Sequence, residues 1–113
     1  MKKILYTLLI CSITFAQQGL NLDDLEPGDS GKLMYPYSGK VFKYWPNGDI
    51  RVRGRLRDGL RNGKWEYYHT NGSKMAVGKY FDGDGSDIDP ETKVPRKGFA
   101  GNWTFYYKSG QQW

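Results

Sequence analysis

The sequence predicts an all-β protein of tandem β-hairpins, repeating every 24 residues and laid side by side in an elongated antiparallel sheet. Composition is the first reason: aromatic residues make up 16 % and there are 15 glycines in 113 residues, so rings and turns dominate over aliphatic side chains. Punctuation is the second, because short strand-forming runs are closed by Asn-Gly, Ser-Gly and Asp-Gly, residues that accept the positive φ of tight hairpin turns. Recurrence is the third. "YSGKVFKYWPNG", "DGLRNGKWEYYHTNG" and "GFAGNWTFYYKSG" set Gly39, Gly63 and Gly101 each nine residues ahead of Gly48, Gly72 and Gly110, and a fixed period signals stacked supersecondary units.

Taken in order, the chain opens with "MKKILYTLLICSITFAQQ". Lys2 and Lys3 precede an apolar run from Ile4 to Phe15 that is shorter than the roughly 20 residues a membrane-spanning helix needs. Thr14 and Ala16 are small residues flanking Phe15, so residues 1–16 read as a secretory signal peptide cleaved after Ala16. The expected location is the periplasm, the outer-membrane surface or the medium. Cys11, the only cysteine, falls inside the signal peptide; the exported chain can form no disulfide and must be held by its sheet and its rings. Residues 17–36 read as an N-terminal lead-in.

From Tyr37 onward each unit reads as an aromatic strand such as "KWEYYH", a turn, a second strand such as "SKMAVGKYF" and an Asp-Gly turn to the next unit. Gly54 and Gly78 lie 24 apart, as do Gly59 and Gly83, while Val41, Trp65 and Trp103 match, and so do Tyr44, Tyr68 and Tyr106. Between the second and third units, residues 84–97 are an insertion, "DGSDIDPETKVPRK", expected as a solvated loop. A lone hairpin is marginal in water, so each unit needs its neighbour. The expectation is one ladder of Val41, Trp65 and Trp103 and a second of Tyr44, Tyr68 and Tyr106. Alternation sends Trp65 and Tyr67 to one face and Glu66 and Tyr68 to the other, without saying which face is covered.

The motif G-x-W-x-Y-Y-x-x-N-G, followed by a short basic strand with a central glycine and then D-G, resembles the MORN-repeat variant over residues 37–113, with about two and a half units. The resemblance implies an exported bacterial repeat protein, relatives of which include antitoxins of the YwqK type. It also implies, through the reputation of MORN repeats, the binding of lipid headgroups.

Two groups of residues stand out as binding candidates. Trp65, Tyr67, Tyr68, Trp103, Phe105 and Tyr106 form the aromatic set, of the kind enriched at interface hot spots. In "RVRGRLR", Arg51, Arg53, Arg55 and Arg57 share one face at strand spacing, and four guanidinium groups attract phosphate, carboxylate or acidic polysaccharide. Charge points the same way: between Lys40 and Lys79 ten Lys or Arg face Asp49, Asp58 and Glu66.

Catalytic chemistry is not expected. His69 is the only histidine and falls where Trp45 and Tyr107 fall in the other units, so it reads as a packing ring; with no mature cysteine it makes neither a nucleophile dyad nor a transition-metal site. "DGDGSDID" suggests calcium, but read as a loop from Asp82 it places Asp87 where glycine is needed and Lys93 where a bidentate Glu belongs. No cofactor and no resident metal are expected. Export and the lack of a recognised module argue against nucleic acid. The expected function is a non-catalytic module for protein interaction or scaffolding; the alternatives are binding of anionic lipid or polysaccharide through the Arg-rich strand, and antitoxin-like neutralisation.

Overall fold

A computed structural model describes residues 19–25 and 37–113. The signal peptide read at residues 1–16 and most of the lead-in lie outside the described residues. The described chain is all-β apart from one helical turn. Its strands are β1 (Leu20–Asn21), β2 (Gly39–Tyr44), β3 (Ile50–Arg57), β4 (Leu60–Tyr68), β5 (Lys74–Gly83) and β6 (Phe99–Phe105), with α1 (Leu22–Leu25) after β1. They form one six-stranded sheet in sequence order. From β2 to β6 every pairing is antiparallel, as tight connections require.

The expected purely antiparallel sheet is corrected at its first edge. Leu20 and Asn21 pair parallel to Val41 and Phe42, making the sheet mixed. The lead-in thereby joins the fold, and Leu22 beyond it is buried in the core.

The turns follow from their residues. At Asp58-Gly59 both residues have positive φ, 51° and 82°, as a two-residue hairpin with right-handed twist demands. Three longer turns share one construction: the amides of Gly48, Gly72 and Gly110 donate to the carbonyls of Trp45, His69 and Tyr107 at 2.9, 3.0 and 2.9 Å. In the first two, Asn47 and Asn71 accept from the amides two residues ahead, holding the turn by a side chain.

One face of the sheet is the core. Val41, Val52, Leu56, Trp65, Tyr67, Ala76 and Tyr80 are buried there, with Trp103, Phe99 and Phe105 packed against them. A single sheet must have its apolar face covered, and two distant segments do so. Leu22 comes from the N-terminal side and Val94, 0 % exposed, from the insertion. The insertion is therefore not the solvated loop expected. Tyr80 Oη donates to the carbonyl of Pro95, and Tyr67 Oη, 3.0 Å away, is left to donate to Tyr80 Oη. Burial pushes the Tyr80 hydroxyl's pKa up, so it stays protonated and keeps that donor.

The ring ladder differs from expectation because Tyr80 stands between the tryptophans. Trp65 meets Tyr80 edge-on at 5.7 Å, Tyr80 meets Trp103 at 4.9 Å, and Phe99 stacks on Trp103 at 4.1 Å. No ring contact joins Tyr44, Tyr68 and Tyr106, so the second ladder is absent among the described residues.

Candidate functional site

Strand β4 decides the site, because its alternation divides the aromatic candidates. Trp65 is 0 % exposed and Tyr67 is buried. Their burial removes both from any surface and corrects their reading as binding residues. Trp103, Phe105 and Tyr106 are half-buried, the first two packed on the core and Tyr106 bonded through its amide to the Met75 carbonyl at 2.8 Å. Of the six, Tyr68 faces the open side with Glu66, its hydroxyl donating to Glu66 Oε2 at 3.0 Å.

The open side is a shallow concavity of about 550 Å³ lined by Phe42, Tyr44, Ile50, Arg53, Arg55, Lys64 and Glu66 among others. Phe42 and Tyr44 lie 5.2 Å apart, and Tyr44 is 47 % exposed. At its centre Glu66 Oε1 accepts from Arg53 Nε at 3.1 Å, and Oε2 meets Lys74 Nζ at 2.9 Å. Arg53 also lies over the Tyr68 ring at 5.6 Å.

The Arg stripe does not hold to one face, because β-bulges shift the alternation. Val52 stands opposite Lys43 but Ile50 opposite Tyr44, which leaves Arg51 as the extra residue. Arg51 turns to the core side, where its guanidinium stacks 4.4 Å from the Trp45 ring centre. Arg53 and Arg55 line the open face. Arg57 reaches Asp82 at 3.3 Å and lies over Phe81 at 5.9 Å. Two of the four guanidiniums are therefore already matched by carboxylates, and Arg55 is the exposed one with no ion-pair partner among the described residues.

Glu66 gives the face a measurable signature. Burial alone would raise its pKa, but hydrogen bonds from Lys74, Arg53 and Tyr68 outweigh burial and hold it at about 2, against an ordinary 4.5. A depressed folded-state value means that Glu66 stabilises the fold above pH 4.5 and loses that contribution as pH falls towards 2. The shift sets a ceiling of about 3 kcal/mol; with Arg53 and Lys74 well exposed, screening leaves about 1–2 kcal/mol. Glu66→Gln should flatten the pH dependence of the urea midpoint between pH 4.5 and 2. An unchanged slope in the variant refutes the assignment.

His69 is structural in its contacts. Its Nε2 donates to the carbonyl of Tyr106 at 2.9 Å, as Trp45 Nε1 donates to Tyr68 at 3.1 Å. Asn71 to Lys108 and Asn47 to Thr70 make a second matching pair at 3.0 Å each. Trp65 to Arg55 and Trp103 to Lys79 make a third, at 3.1 and 2.9 Å. In the insertion the carboxylates hold their own chain: Asp84 accepts from Ser86, Asp89 from Glu91 and Thr92, and Asp87 pairs with Arg96. Among the described residues no three His, Cys, Asp or Glu gather as a metal site, and no helix is long and apolar enough to cross a membrane.

Compared with known protein families, curated proteins and solved structures, the chain matches none.

Sequence reasoning missed Tyr80, Phe42, Tyr44 and Ile50. A signal for Tyr80 was present: it lies 24 residues after Leu56, as Ala76 lies 24 after Val52, and all four are buried. The others sit on short strands whose bulge no local pattern announces.

Proposed function

We propose that this chain is an exported, non-catalytic interaction module, an elongated row of MORN-variant hairpins whose open sheet face docks another protein. The observation that carries the reading is the exposed cluster of Tyr44, Phe42, Ile50 and Arg55 around a shallow concavity. Aromatic and Arg side chains on a fixed sheet present contact area at little entropic cost. The three pairs of matching hydrogen bonds support the hairpin-repeat part of the reading, because residues 24 apart make equivalent donors. The resemblance of the motifs supports the family. An antitoxin-like role is the case in which the docked protein is a toxin.

The test uses residues 17–113 as bait against an envelope extract of the source cell. A single protein retained at high salt, and lost with Tyr44→Ser and Arg55→Gln together, is the expected result. Both side chains are exposed, so the variant should fold normally. Equal retention by the variant overturns the reading. So does lipid or polysaccharide captured only at low salt and released with Arg55→Gln, which would move the function to anionic surfaces.

A further inference from the structure

The core side of the sheet is not wholly sealed by its covering segments. A groove of about 630 Å³ runs between β3, β4, the N-terminal turn and the insertion. Its charge is one-sided. Among the described residues, Lys43, Arg51, Arg61, Lys93 and Lys108 line it against the single carboxylate of Glu91. Asp23, at the groove's N-terminal side, offsets only Lys43, at 3.0 Å. Arg61, 6 % exposed, forms part of the floor with its guanidinium over the Trp65 ring at 5.0 Å.

The walls between these cations are flat and apolar: Trp45, Tyr67, Met75 and Ile88. A cavity of this size exceeds one inorganic anion and falls in the range of small-ligand sites. Guanidinium forks bind carboxylates bidentately, while ammonium groups act as point charges around them. Alternating charge and flat apolar wall matches a chain of sugar rings that each carry a carboxylate: the rings lie on the aromatic and thioether surfaces and their acids meet the cations.

We propose that this groove is a second binding site, for an acidic oligosaccharide of the uronate type. It lies on the opposite side of the sheet from Tyr44 and Arg55 and does not rest on the docking function proposed for that face.

Calorimetric titration of residues 17–113 with tetragalacturonate should give one site per chain, weakened at least about tenfold between low and high salt by screening. Arg51→Gln with Lys108→Gln, neither of them buried, should weaken it about tenfold or more, while Arg55→Gln on the other face leaves it unchanged. A neutral maltotetraose should not bind, and inorganic phosphate should compete only weakly. The proposal is overturned if tetragalacturonate does not bind, if Arg55→Gln weakens it as much as the groove pair, or if phosphate displaces it at equal concentration. Equal binding of tetraglutamate also overturns it, because the rings would then contribute nothing and the ligand would be an acidic peptide.

Discussion

Gly54→Ala is expected to destabilise the fold by about 3 kcal/mol, the upper end of what overpacking a core costs. A β-carbon at residue 54 would stand 2.1 Å from Trp65 Cδ2 and 2.3 Å from Cε2. The ring has nowhere to go. It is fully buried, tied by Nε1 to the Arg55 carbonyl at 3.1 Å, and held between Tyr67 and Tyr80. Gly54 is thus glycine because an indole lies flat on its backbone, and the register shift in β3 at this residue accommodates that contact. Trp65→Ala should itself cost about 3–5 kcal/mol, but the double variant should cost clearly less than the two losses combined, because the clash disappears with the ring. Gly78 meets Trp103 in the same way, at 2.2 Å. Trp103 is only half-buried, so its ring can swing outward, and Gly78→Ala should cost about half as much. Urea midpoints for the four variants decide the matter. Additive losses, or Gly54→Ala within 0.5 kcal/mol of wild type by the same measure, would refute the contact as the reason for glycine.

Val94→Asp is expected to lower stability by at least about 2 kcal/mol, since it removes a buried Val side chain and puts a charge in its place. Val94 is 0 % exposed although it sits in a 14-residue insertion rich in turn and charged residues. The insertion can escape by undocking, so the loss is capped at the free energy with which it covers the sheet. The variant therefore measures that free energy. Tyr80→Phe tests the other attachment, because it removes the donor to the Pro95 carbonyl and the acceptor of Tyr67; about 1–3 kcal/mol is expected for buried polar groups left unmatched. Protease cleavage between residues 84 and 97 should accelerate in both variants. Unchanged midpoints and cleavage rates would return the insertion to the role of a solvated appendage.

The sequence by itself determined the strands from Gly39 onward, their turns and their order. Each rests on local chemistry: Asn-Gly and Asp-Gly carry positive φ, and rings alternate with polar residues every second position. The 24-residue spacing also held the positions of buried residues, as Leu56 and Tyr80 show. Alternation divides side chains into two sets but does not say which set is covered, because the cover comes from elsewhere in the chain. Leu22 and Val94 settle that, and with it the burial of Trp65 and Tyr67 and the exposure of Tyr44. Only the tertiary structure decided that Arg51 leaves the Arg stripe, since a bulge opposite Lys43 and Tyr44 is a property of two paired strands. The basic groove has the same origin. Lys43, Arg61, Lys93 and Lys108 are scattered over 66 positions of sequence, and the folding of the insertion across the sheet is what gathers them around one cavity.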